Sequence, residues 1–147
     1  MIAFSAISQE EFLSDYWQKK PLLIKQALPG FISPLSPNEL AGLSLEEEFE
    51  SRLVTGAIKN NRWSLTEGPF SEETFTKLPE SDWTLLIQGV DRFIPEVESL
   101  INHFNFIPRW RFDDVMISYA AKGGSVGPHF DLYDVFLLQG SGKRHWA

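Results

Sequence analysis

Apolar residues recur along this chain with two different periods. Val97, Leu100, Ile101 and Phe104 stand three and four apart, the spacing of one face of a helix. Pro95 can open that helix, because a first-turn residue has no use for its amide proton. Ser8-Gln-Glu-Glu11 has the form of a capping box and predicts a helix ending before Pro21. Ser36, with Pro37 and Glu39 behind it, predicts a second helix start. Ser44-Leu-Glu-Glu47 predicts a third, and Ser71 to Lys77 a short fourth. Other runs are too short for helices and read as strands: Leu22–Lys25, Leu53–Thr55, Arg62–Leu65, Thr84–Val90 and Met116–Ala121. Asn60-Asn61 is expected to turn a hairpin between the second and third of these. Further on, Val135-Phe-Leu-Leu138 is a short apolar run of the kind buried in sheets. His129 is expected to open that strand, Gly140-Ser-Gly142 to turn it, and Lys143–Trp146 to return. Helices come first and strands after them, so the fold class is α+β, with N-terminal helices packed on an antiparallel sheet.

Composition narrows the function. The 147 residues, 43% hydrophobic and 14% aromatic, are enough for one cored structural unit without repeats or linkers. With no cysteine, disulfides and thiolate metal sites are excluded, and a reducing cytoplasm is the expected compartment. Met1-Ile-Ala-Phe-Ser has neither the basic start nor the apolar stretch of a signal peptide, and no run is long enough to span a membrane. A net charge of −7 argues against direct binding to nucleic-acid phosphates and suits a basic partner.

The chemistry concentrates in Gly123-Gly-Ser-Val-Gly-Pro-His129-Phe130-Asp131. On a strand, residues i and i+2 share a face, so His129 and Asp131 would converge. An imidazole and a carboxylate make two of the three ligands of a 2-His-1-carboxylate iron site. With 3 His and seven Asp among 147 residues, chance alone gives such a pair in about one chain in seven, so the spacing by itself is weak. Neither remaining histidine completes the set: alternation turns His145 away from Arg144's face, and His103 belongs to the helix after Pro95.

Context adds more. Trp110-Arg-Phe-Asp-Asp-Val-Met-Ile-Ser118 and the run from Gly123 through Lys143-Arg-His-Trp146 resemble the bacterial JmjC-type ribosomal oxygenases, and the similarity is close to the subgroup that hydroxylates an arginine of a large-subunit ribosomal protein. Trp17-Gln-Lys-Lys-Pro21, Ser51-Arg-Leu-Val54, Gly68-Pro-Phe70 and Trp83–Val90 extend the resemblance over nearly the whole chain. It implies part of a cupin/JmjC double-stranded β-helix, incomplete at the C-terminus. A helical segment (about 1–105) would be followed by the first part of the barrel (about 106–147).

The resemblance also implies roles. His129 and Asp131 would be Fe(II) ligands. Arg144 would bind the distal carboxylate of 2-oxoglutarate, which is converted to succinate as O2 delivers oxygen to a C–H bond. Asp114, Met116 and Tyr133 would line the pocket for the substrate arginine. A basic ribosomal protein is the implied substrate, with no direct nucleic-acid or membrane contact. The family's second iron-binding His and a homodimerising region would lie beyond Ala147, so the chain is read as the N-terminal part of a longer enzyme, inactive alone. Two other readings stand beside it: a metal-dependent cupin isomerase or small-molecule binder, and a non-catalytic cupin-like fragment.

Overall fold

A computed structural model describes residues 2–4, 7–57 and 62–146. Its centre is a four-stranded antiparallel sheet in the order β2-β1-β3-β4. The strands are β1 (Ser51–Ala57), β2 (Arg62–Glu67), β3 (Trp83–Ile87) and β4 (Ile117–Ala120). The helices are α1 (Gln9–Glu11, continued as a π-helix over Phe12–Tyr16), α2 (Pro37–Leu43), α3 (Glu72–Thr76) and α4 (Pro95–Glu98, continued as a 3-10 helix over Ser99–Phe104). The expected α+β class, helices with an antiparallel sheet, is what forms. Among the described residues no helix is long and apolar enough to cross a membrane.

Contacts divide the chain into two compact units, each discontinuous in sequence. One comprises residues 34–99 and 113–130 and holds the sheet. Its strands alternate as a half-buried sheet must. Leu53, Leu85 and Tyr119 align across three strands, and Ile87 faces Ile117. Leu85 and Ile87 join Leu40, Phe49, Val90 and Val97 in a buried core. On the opposite face Arg52 pairs with Leu86, and Val54 with the buried Thr84. The start of α2 is secured by a capping box. The Ser36 hydroxyl accepts from the Glu39 amide at 3.3 Å, and the Glu39 carboxylate accepts from the Ser36 amide at 2.7 Å.

The other unit comprises residues 1–33, 100–112 and 131–147. Aromatic rings hold it together. Phe4, Phe12, Trp17, Phe104, Phe106 and Phe112 gather around Phe136, whose ring lies 4.6 Å from Phe104 and stacks on Trp17 at 5.5 Å. The π-turn has a packing consequence. The Trp17 amide donates to the Phe12 carbonyl five residues back. That wider turn lets two rings five apart reach one cluster, with centroids 6.0 Å apart.

Several expected elements are absent. Leu22–Lys25 is not a strand, Ser44–Glu47 forms turns, and no strand or hairpin ladder forms at His129, Val135–Leu138 or Lys143–Trp146. A strand exists only through a neighbour's backbone, and none of the described strands offers a ladder to residues 129–146. The helix opened by Ser8 ends before Pro21 as expected, at Tyr16, where Trp17 and the left-handed Gln18 (φ 57°) close it. Asn60-Asn61 lies outside the described residues, although β1 and β2 do pair as expected.

Candidate functional site

The glycine-rich turn 123–127 is shaped by close packing. A side chain at Gly124 would run into the Trp83 carbonyl. Gly127 has φ of +77°, and a Cβ there would stand 3.0 Å from the Trp63 ring. Only glycine meets both demands at 127. Two residues on, His129 Nδ1 lies 2.9 Å from the Gly127 carbonyl. A carbonyl can only accept, so the proton sits on Nδ1 and the lone pair on Nε2. That is the arrangement in which an imidazole ligates a metal, with a backbone carbonyl fixing its tautomer.

Asp131 belongs to the other unit. It lines a cavity of about 640 Å³ with Tyr133 and Asp134 on one side and Tyr16, Trp17 and Lys20 on the other. The Gln18 amide donates to Asp134 at 2.8 Å and ties the two walls together. Tyr133 is exposed. Arg144 is half-buried, its guanidinium carbon 5.3 Å from the centre of the Trp146 ring. His145 is exposed, and His103 sits half-buried in the 3-10 helix after α4. Among the described residues no group of three His, Cys, Asp or Glu could hold a metal ion. The donor chemistry of His129 and Asp131 nevertheless fits two positions of a facial iron triad.

Asp114 is the most elaborately held of the expected site residues. The Gln88 side-chain amide donates to its Oδ2 at 2.7 Å, and the Gly89 backbone amide donates to the same oxygen at 2.8 Å. Gln88 Oε1 in turn accepts from Arg52 at 2.8 Å, and Arg52 also pairs with Glu50 at 3.3 Å. The neighbouring turn is laced down as well: the Val115 amide donates to the buried Asp91 carboxylate at 2.7 Å. Met116, two residues on from Asp114, is exposed. Thus Asp114, Met116 and His129 belong to the sheet unit, and Asp131, Tyr133 and Arg144 to the aromatic unit. Arg52, Gln88 and Gly89 went unremarked as site residues, although they lie in the two segments, Ser51–Val54 and Trp83–Val90, that carry the family resemblance.

Comparison with known proteins places this arrangement. Residues 99–147 match the JmjC domain family. The chain is 47% identical over 140 residues to a probable ribosomal oxygenase of Haemophilus influenzae, covering 95% of this chain and 34% of that protein. It is 45% identical over 136 residues to the ribosomal protein uL16 3-hydroxylase of Escherichia coli, covering 92% of this chain and 35% of the relative. The solved structure of the E. coli ribosomal oxygenase YcfD with cobalt and 2-oxoglutarate superimposes with a TM-score of 0.78 at 40% identity, over 86% of this chain and 34% of that one. The class these matches define is the JmjC-type ribosomal oxygenase. The chain is similar to an N-terminal part of such proteins and spans about a third of the length of the curated relatives it matches.

Proposed function

We propose that this chain is the N-terminal part of an Fe(II)- and 2-oxoglutarate-dependent hydroxylase acting on an arginine of a large-subunit ribosomal protein. The observation that carries this reading is Asp114. Its carboxylate is half-buried and pinned through one oxygen, in a chain similar over nearly its whole length to ribosomal oxygenases. A fixed carboxylate beside an apolar thioether suits a flat cation with an aliphatic stem. The −7 charge of the chain favours approach of a basic protein.

His129, through Nε2, and Asp131 would hold the iron. Arg144 would hold the distal carboxylate of 2-oxoglutarate; its planar fork matches a carboxylate, and the Trp146 ring already restrains it. Tyr133 would offer a ring face to the guanidinium. Iron, 2-oxoglutarate and O2 would supply the oxidising power for an unactivated C–H bond. The residues of this chain bind and orient.

The test is steady-state kinetics in the protein at the full length of its relatives, with each substrate varied separately. Losing one partner of a partly buried charge pair costs at least about 2 kcal/mol, or about thirtyfold. Arg144→Ala should raise the KM for 2-oxoglutarate by about that factor and leave the KM for an arginine peptide nearly unchanged. Asp114→Ala should do the reverse. If both variants lost the same parameter, the assignment of two separate sites would be wrong.

A further inference from the structure

We infer that Gln88 is a positioning residue for the substrate arginine, held in its working orientation by Arg52. The inference rests on the reading of Asp114 as the carboxylate that receives the guanidinium.

Gln88 stands just past the end of β3, and its neighbours are chosen by register. Arg52 on β1 pairs with Leu86, so alternation puts Arg52 and Gln88 on one face of the sheet. The turn that follows, with Gly89 at φ +62°, brings the Gly89 amide toward the same carboxylate. Glutamine is the one member of this row that both donates and accepts, and its two neighbours leave it no choice. A guanidinium only donates, so Arg52 must meet Oε1. A carboxylate only accepts, so Asp114 must meet Nε2. Turning the amide over would set its NH2 against the cation and its oxygen against the anion, and both contacts would become repulsive. Arg52 therefore fixes the amide, and the amide fixes Asp114.

The consequence for Asp114 is a polarised pair of oxygens. Two donors meet at Oδ2 and take up its lone pairs. Oδ1 takes neither of these bonds, and it is the oxygen left to receive a substrate cation. Arg52 gives one nitrogen, Nη2, to both Gln88 and Glu50. The network thus links that cation to the Asp114 carboxylate through a single amide.

The experiment uses the protein at the full length of its relatives and three variants beside Asp114→Ala. Gln88→Met keeps the side chain's bulk and removes both polar ends. A hydrogen bond to a charged group contributes at least about 1.5 kcal/mol, so the KM for an arginine peptide should rise about tenfold. The KM for 2-oxoglutarate and succinate formation without peptide should stay within about twofold, as expected for a group that touches neither. Gln88→Glu should be worse than Gln88→Met for the peptide, because it sets a second carboxylate against Asp114. Arg52→Met should raise the peptide KM as well, and combining it with Gln88→Met should add little, since both act through one amide.

Three outcomes overturn the proposal. One is an unchanged peptide KM in Gln88→Met while Asp114→Ala raises it; the reading of Asp114 then survives and the role of Gln88 fails. Another is an equal rise in both KM values with a lowered melting temperature, which marks a purely structural residue. The third is an unchanged peptide KM in Asp114→Ala itself, in which case the reading of Asp114 falls and the inference with it.

Discussion

From Pro128 to Lys143 every residue but Phe136 is exposed. Its ring meets Phe12, Trp17, Phe104 and Phe106. It is therefore the anchor of the segment that carries Asp131, Tyr133 and Asp134. Replacing it with alanine removes most of a ring from a packed cluster, and such truncations cost about 3–5 kcal/mol when the ring is fully buried. Phe136 is only half-buried, so about 3 kcal/mol is expected. Phe136→Leu retains apolar bulk but loses four ring pairs, each worth about 0.5–1.5 kcal/mol and not additive, so about 1–2 kcal/mol is expected. Urea unfolding followed by tryptophan fluorescence and, separately, by far-ultraviolet circular dichroism measures both. Trp17 stacks on Phe136, so its emission should shift even before unfolding. Hydrogen exchange should accelerate in the π-turn at 12–18 and leave β1 and β3 protected. The reasoning is refuted if Phe136→Ala costs less than about 1 kcal/mol, or if exchange accelerates in the sheet instead.

Other consequences are more local. Ile87 has no exposed surface at the centre of the sheet core, so Ile87→Ala should cost about 2–5 kcal/mol in denaturant unfolding. Ser36→Ala removes the cap of α2 and should cost about 1 kcal/mol. The hydrogen bond from the Ser36 amide holds the Glu39 carboxyl below the ordinary glutamate value of 4.5. A depressed carboxyl stabilises the fold above that value and loses its contribution as pH falls through the lower, folded one. Glu39→Gln should therefore lower stability slightly near neutrality and flatten its decline below pH 4.5. Calorimetry of this chain with Mn(II) or Ni(II) should show weak binding, because His129 and Asp131 supply two donors only; tight one-to-one binding would bring His103 or His145 into the ligand set.

What was legible in the sequence was what local chemistry decides. The Ser36 capping box reads directly from Ser-x-x-Glu, since both of its bonds lie within one turn. The β1–β2 hairpin and the placement of β3 and β4 followed from short apolar runs between turn residues. What failed needed information from elsewhere in the chain. Leu22–Lys25 has the composition of a strand but no ladder to join. The helix from Ser8 is capped as read, by the Ser8 hydroxyl accepting from the Glu11 amide, but its widening into a π-turn that brings Phe12 and Trp17 into one cluster was not legible. The ring cluster was hidden for the same reason: Phe4, Phe12, Phe104 and Phe136 share no period and meet only in the fold.

The site shows the same division between local and distant causes. Pairing His129 with Asp131 by the i, i+2 rule assumes a pleated strand, and that strand is absent here. What orients the imidazole is more local than a pleat: the carbonyl of Gly127, two residues back. That carbonyl is placed in turn by a backbone that only glycine can adopt against Trp63. The orientation of the His129 ring is thus set without any strand pairing. Asp114 is the opposite case. Nothing adjacent to it explains its posture, which depends on Gln88 and, through it, on Arg52, 36 residues before Gln88. A sequence motif can therefore point to a proposed metal ligand whose support is local. A proposed substrate carboxylate held from the turn after β3, and through it from β1, shows its full support only once the fold has set Arg52, Gln88 and Asp114 side by side.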